Sequence, residues 1–471
     1  MRFLAKKNCE NRAKLSIFAA KNQIVREIMI FKRKIYDSLL KWKREDNVTT
    51  AVLINGARRV GKSTLVEQFG KQEYESYILI DFAECSDEIK HLFDDVSDLN
   101  YIFMRLQVFY HVELKKRKSL IIFDEVQKYP NARQAIKYLV KDGRYDYIET
   151  GSLISIRQNV ENIVIPSEEL DLNMYPMDFE EFRWALNDSV SIPLLRDFFV
   201  NKRSLGDGLN RKLMRDFRLY MLVGGMPQAV NAYIESNNLE KVDHVKRAII
   251  KLYEKDFNKI DPSGNASTLF HNIPAELTRN ASRYMAWSAT NGTRAETIEN
   301  VLNAMEQSMV VNVAHHANYP GVGMAFHHDP SRFKMFVGDT GLFVTLAFWD
   351  KDFTENVIYQ KLLNGKLSAD LGYVYENVVA QMLKASGKEL YYYTFPTDSG
   401  KHNYEIDFLL PDGDKVSPIE VKSSGYKTHA SLDAFCTKFS SRIKHEYLVY
   451  TKDVRSEGSL LCLPVYMTFC L

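Results

Sequence analysis

The sequence predicts an α/β protein built around a parallel sheet, with a phosphate-binding loop at the end of its first strand. Three observations predict it. Between residues 46 and 190 short apolar runs alternate with amphipathic stretches, the rhythm of strand–helix–strand units. The apolar run Ala51-Val52-Leu53-Ile54 leads into Gly56-Ala57-Arg58-Arg59-Val60-Gly61-Lys62-Ser63-Thr64 and then into Leu65-Val66-Glu67-Gln68-Phe69, so a G-x-x-x-x-G-K-[ST] pattern has a strand before it and a helix after it. About sixty residues later a second buried-strand run, Ser119-Leu120-Ile121-Ile122-Phe123, closes in Asp124-Glu125.

Each residue type in the loop has a chemical reason. Gly56 and Gly61 permit backbone angles and close approach that a side chain would block, so successive N–H groups can face a phosphate. Lys62 would neutralise the β and γ phosphates of a nucleotide, and Ser63 would place its hydroxyl on Mg²⁺. The helix that starts there adds its positive N-terminal end. Carboxyl ends of parallel strands face the ligand crevice, so Asp124 would hold Mg²⁺ and Glu125 would orient or deprotonate the attacking water.

Composition sets the outer bounds. At 471 residues the chain should divide into three or four domains, and its hydrophobic and charged fractions of 45% and 26% are those of an ordinary globular protein. No window reaches the length of uninterrupted apolar sequence that a membrane span needs. The five cysteines form no C-x-x-C pair, which points to free thiols in a reducing compartment, the cytoplasm. The net charge of +2 hides an imbalance: residues 1–45 hold 13 Lys and Arg against 4 acids. Residues 1–28 read as a poorly ordered basic extension, with folded structure beginning near Met29.

Taken in order, Tyr77 to Phe82 reads as the second strand, Tyr101 to Glu113 as a helix, and Lys115-Lys116-Arg117-Lys118 as a solvated turn. After the Asp-Glu strand, Asn131 to Lys141 reads as a helix and Tyr145 to Glu149 as a strand running into Thr150-Gly151-Ser152. Thr150 and Ser152 are candidate sensors of the γ-phosphate there, although such a triplet also ends strands as a plain turn. From Met174 the periodicity becomes helical, breaks at Gly224-Gly225-Met226-Pro227, and resumes from Leu239 to Asp256 as a lid beside the nucleotide.

These motifs, with Pro176-Met177-Asp178-Phe179-Glu180-Glu181-Phe182 and Phe333 to Leu342, resemble the prokaryotic AAA-family ATPases that carry a C-terminal domain of unknown function. The resemblance covers nearly everything after Met29 and implies an Mg²⁺-dependent ATPase. One departure is that Ile165-Pro166-Ser167-Glu168-Glu169 stands where such proteins often have a Gly-Arg pair. Residues 265–350 fit a winged-helix unit, but 5 Lys and Arg face 7 acids there, which argues against a strong phosphate footprint.

The last hundred residues hold a second constellation. Leu371 to Val379 reads as a helix carrying Glu376; Tyr404 to Leu410 reads as a strand with Asp407, and Pro418 to Lys422 as its partner, with Glu420 and Lys422 on one face. Carboxylates brought to one point repel unless they bind a divalent cation, the arrangement of metal-assisted phosphodiester hydrolysis. In that reading Glu376, Asp407 and Glu420 hold Mg²⁺ and Lys422 positions or activates the attacking water. The pattern resembles the PD-(D/E)XK nuclease core.

The expected organisation is therefore a basic extension (1–28), a P-loop ATPase domain (29–190), a helical lid (191–262), a winged-helix unit (263–350) and an α/β nuclease-like domain (351–471). The expected function is ATP binding and hydrolysis coupled to a C-terminal domain that meets DNA, RNA, a protein partner or a second copy of the chain, with no membrane partner. Two other outputs stay open: an ATP-dependent nuclease using Asp407, Glu420 and Lys422, and a nucleotide-switched binding protein with little turnover.

Overall fold

The structure, a computed structural model, describes residues 30–151, 166–279, 283–286, 290, 295–350, 356–364, 372–397, 399–424 and 426–471. The chain divides into Met1–Phe31 and Lys32–Leu471. Only residues 30 and 31 of the first unit are described, so the expectation for residues 1–28 lies outside the described residues, as do Ser152, Ile165 and Leu371.

Helix α1 (Ile35–Glu45) buries Leu39 and Trp42. The first sheet follows: β1 (Ala51–Asn55), β2 (Ser76–Asp81), β3 (Ser119–Asp124), β4 (Asp146–Gly151) and β5 (Glu169–Asn173), in the order β2-β3-β4-β1-β5 with every pairing parallel. Every residue of β1, β3 and β4 is buried, as expected of the middle strands of a covered parallel sheet. Helices α2 (Lys62–Glu73), α3 (Leu99–Tyr110) and α4 (Pro130–Asp142) connect the strands. Since β3, β4 and β1 are neighbours, the loops leaving their carboxyl ends meet. Strand β5 was not foreseen: Glu169-Leu170-Asp171-Leu172-Asn173 is short, half polar and at an edge, where apolar patterning is weakest.

Helices α5 (Phe179–Ala185), α6 (Ser191–Val200), α7 (Asp207–Val223), α8 (Pro227–Ser236) and α9 (Leu239–Ile260) make the expected helical region. A capping box starts α5, with Asp178 accepting from the Glu181 amide at 2.9 Å and Glu181 from the Asp178 amide at 3.3 Å. Beyond them come α10 (Asn265–Thr278), α11 (Ala295–Gln307), β6 (Val311–Ala317), β7 (His328–Val337), α12 (Thr340–Ala347), α13 (Asn356–Leu363) and α14 (Gly372–Ala385). The remainder is β8 (Leu390–Pro396), β9 (Asn403–Ile406), β10 (Phe408–Asp412), β11 (Lys415–Lys422), α15 (Ala430–Lys438), β12 (Glu446–Tyr450), β13 (Arg455–Glu457) and β14 (Leu460–Pro464).

Two details differ from the sequence reading. Strands β6 and β7 pair antiparallel, but β6 also pairs in parallel with β8, giving a four-stranded sheet β7-β6-β8-β9. Backbone hydrogen bonding thus crosses the boundary expected at residue 350. The single strand expected over Tyr404 to Leu410 is two strands: β9 pairs with β8, whereas β10 pairs with β11 in the five-stranded sheet β10-β11-β12-β14-β13. The chain changes sheets at Asp407, whose carboxylate accepts the Val421 amide of β11 at 2.7 Å. A side chain takes over the ladder contact that a continuous strand would make.

Candidate nucleotide-binding site

The phosphate loop leaves β1 at Asn55 and turns into α2 through Gly61, whose φ of 101° lies in the left-handed region that only glycine adopts without strain. Lys62 is buried at the first turn of α2 and donates from Nζ to the carbonyls of Gly56 (2.8 Å) and Ala57 (3.1 Å). Burial lowers its ammonium pKa to about 8, against the opposing pull of Glu125 and Asp124. Val60 is buried, Arg59 is exposed with a φ of 72°, and Thr64 is half-buried in the first turn of α2. Arg58 is exposed and meets Asp256 of α9 at 3.2 Å, while its carbonyl accepts from the Tyr253 hydroxyl at 2.9 Å.

The two acids stand opposite. Ser63 Oγ donates to Asp124 Oδ1 at 3.0 Å, and Thr150 Oγ1 donates to the same oxygen. The Glu125 amide faces Thr150 Oγ1 at 3.4 Å, and Glu125 itself sits at a φ of 53° just past the end of β3. Gln127 Nε2 donates to Glu125 Oε2 at 2.6 Å. The structure therefore brings Lys62, Ser63, Asp124, Glu125 and Thr150 together at the carboxyl ends of β1, β3 and β4. That is an arrangement of one cation, two hydroxyls and two carboxylates around a loop of backbone amides, with hard oxygen donors of the kind Mg²⁺ takes.

Other residues surround the site, some from motifs noted in the sequence but not assigned a role there, and Arg33 from outside them. Pro227 lies against Gly61, its Cγ 3.6 Å from where a β-carbon would stand, so the Gly-Gly-Met-Pro break delivers α8 directly to the loop. Just before it, the Gly225 amide donates to the buried Asp339 carboxylate and the Gly225 carbonyl accepts from Met177 N at 2.8 Å. A side chain at Gly225 would run into the Met177 backbone, its β-carbon 2.7 Å from Met177 N. Arg33 is also buried here: Nη1 donates to Val60 O at 2.8 Å, Nη2 to Tyr175 O at 2.6 Å, and Nε lies 3.1 Å from Glu181 Oε2. Among the cations of the N-terminal stretch no spacing sets Arg33 apart.

In the C-terminal cluster, Lys334 of β7 lies buried with its ammonium paired to Glu405 and 3.8 Å from Glu376 Oε2. Lys422 Nζ is 2.7 Å from Glu420 Oε1, and the other Glu420 oxygen accepts the Leu432 amide at 3.2 Å. Burial lifts the Glu376 pKa to about 7, with Asp407 and Glu405 adding to the rise and Lys334 opposing it. The predicted residues are thus neighbours, but each carboxylate has a partner within the protein. Among the described residues no three Asp, Glu, His or Cys side chains are arranged to hold a metal ion.

Three family models match parts of the chain: an AAA domain over residues 48–183, and two domains of unknown function, DUF8612 over 214–352 and DUF4143 over 371–466. No curated protein matches the chain. Among solved structures, the Walker-type ATPase PABY2304 of Pyrococcus abyssi is 15% identical, with a TM-score of 0.40 over 67% of this chain and 96% of that one. The RuvB Holliday junction branch migration motor of Thermotoga maritima is 14% identical, with a TM-score of 0.26 over 60% and 89%. A signal transduction ATPase with numerous domains from Pyrococcus horikoshii, PH0952, is 13% identical, with a TM-score of 0.28 over 76% and 46%. Similarity at these scores adds nothing to the assignment, which rests on the family model together with the loop, the acids and the parallel sheet. By that combination residues 48–183 carry the parallel sheet and the loop motif of the AAA domain they match.

Proposed function

We propose that the protein binds ATP with Mg²⁺ at this site, hydrolyses it, and passes the nucleotide state to its C-terminal half. The observation that carries the reading is the convergence of Lys62, Ser63, Asp124, Glu125 and Thr150 on the open end of the phosphate loop. Ser63 and Asp124 would hold the metal, which when bound supplies positive charge to the phosphates. Lys62 exchanges two backbone carbonyls for phosphate oxygens, a swap that trades neutral hydrogen bonds for charge-assisted ones. Glu125, held by Gln127, orients the attacking water and accepts its proton, and Thr150 stands beside Asp124 where the γ-phosphate would be sensed.

Transmission to the C-terminal half is supported by an unbroken run of buried contacts. Pro227 touches the loop, Gly225 is tied to Asp339, and the adjoining Thr340 donates to Gln381 Oε1 at 2.8 Å. Asn377, one turn earlier on α14, accepts the Val337 amide at 2.8 Å, and Glu376 of the acidic cluster precedes it in sequence. Such contiguity is a route and not by itself a coupling energy. DNA, RNA or a protein is the class of partner this reading leaves to the C-terminal half, and cleavage there is the less favoured output because its carboxylates are already paired.

The test is ATP turnover and nucleotide affinity, with and without DNA or RNA, for wild type, Lys62→Ala and Glu125→Gln. Loss of binding in the first and retained binding without turnover in the second are expected. Wild-type turnover in both would overturn the assignment. Nucleotide-dependent partner binding with no turnover in the wild type would favour a switch.

A further inference from the structure

We propose that Arg33 is a positioning residue of the phosphate loop, holding the peptide between Val60 and Gly61 so that its N–H faces the phosphate. The inference rests on the ATP reading above and adds to it a residue that lies outside the loop and outside the matched AAA region, residues 48–183. A trans peptide is planar, with its C=O and N–H directed to opposite sides. Fixing one end of the plane fixes the other. Arg33 Nη1 takes the Val60 oxygen at 2.8 Å, so the Gly61 amide is turned to the opposite side, toward the cradle formed with Lys62 and Ser63.

The rest of the guanidinium explains why an arginine serves here. Nη2 donates to Tyr175 O at 2.6 Å on the segment after β5, and Nε meets Glu181 Oε2 at 3.1 Å on α5. The neighbouring Lys34 amide donates to the other Glu181 oxygen at 2.6 Å. One planar group therefore clamps the loop, the β5–α5 connection and the start of α5 in a fixed fork that a lysine cannot reproduce. Gly61, with its left-handed φ, can flip its flanking peptides more easily than any other residue, and it is this peptide that Arg33 restrains.

The decisive experiment measures Kd for a fluorescent ATP analogue, KM and kcat for ATP, and the thermal midpoint, in wild type, Arg33→Lys, the double variant Arg33→Met with Glu181→Met, and the exposed-surface control Lys41→Ala. The double variant removes both buried charges, so that neither is left unpaired. We expect Kd and KM to rise about tenfold in the double variant and less in Arg33→Lys, with kcat changing far less than KM, as for loss of about one charge-assisted hydrogen bond. A lowered thermal midpoint with wild-type Kd would mean that Arg33 only braces the fold, and would overturn the proposal. Should the double variant fail to fold, a folded Arg33→Lys with wild-type Kd and KM overturns it equally. If wild type and Lys62→Ala show the same lack of saturable binding, the nucleotide reading itself falls and this proposal with it; if only Lys62→Ala loses binding, the Arg33 variants decide.

Discussion

The phosphate loop and the C-terminal half each gather lysine and carboxylate, but they balance charge in different ways. At the phosphate loop Lys62 is held by two neutral backbone carbonyls, and Asp124 by two hydroxyls. In the C-terminal half Lys334 is paired to Glu405 beside Glu376, and Lys422 is paired to Glu420. Neutral partners can be exchanged for a ligand at modest cost, whereas separating a buried ion pair leaves charge uncompensated. The first cluster could exchange its partners for the phosphates of the proposed ligand; the second is balanced within the protein.

That contrast breaks most directly by removing each lysine. Lys62→Ala should weaken ATP binding by about a hundredfold or more, for loss of a charge-assisted contact in a buried site, while leaving denaturant stability nearly unchanged. Lys334→Met should do the reverse, costing about 3–5 kcal/mol of stability because carboxylates are stranded, with nucleotide affinity preserved in the protein that stays folded. Equal effects of both lysines on both readouts would erase the distinction. Glu125→Gln sharpens the first half: turnover should fall by about a hundredfold with affinity retained, as single-turnover and binding measurements would register.

The junction between the halves comes next in size. Gly225→Ala places a β-carbon against the Met177 backbone and should cost roughly 1–3 kcal/mol by overpacking, seen as a lower midpoint in chemical denaturation. A neutral result would show that the Gly224-Gly225 crossing is loose and unsuited to transmission.

The smallest effect is a pH dependence. Burial raises the Glu376 pKa from 4.5 to about 7, so the folded protein keeps a proton that the unfolded chain has lost. Stability should therefore fall as pH rises between those two values, with no penalty below the lower and the full penalty above the upper. Glu376→Gln removes the titration, and its advantage over wild type should grow steadily as pH rises through that range. A constant difference across that range, in denaturation series at several pH values, would refute the assignment.

How much of this could be read from residues alone follows from where each geometry originates. The loop from Gly56 to Thr64 and the acids Asp124 and Glu125 were legible because their shape comes from contiguous backbone and from the fixed direction of a parallel strand. Glu376, Asp407, Glu420 and Lys422 were legible as neighbours through helix position and strand alternation. Lys334 was not, because it reaches them from a different hairpin, 42 positions before the nearest of them. The change of sheet at Asp407 escaped for a related reason: periodicity reports which face a residue takes, not which strand will pair with it. Arg33 lay hidden among similar cations, since its role depends on carbonyls contributed by residues 60 and 175.

The parallel pairing of β6 with β8 has a consequence for how the chain can be divided. The two matched regions of unknown function end and begin at residues 352 and 371, yet one sheet joins a strand from each. A protein stopped there would present β6 as an unpaired edge, and its complement would present β8, each a template for adhesion to other chains. A split at that point is therefore expected to expose both strand edges, which more aggregation of each fragment than of the whole chain would register.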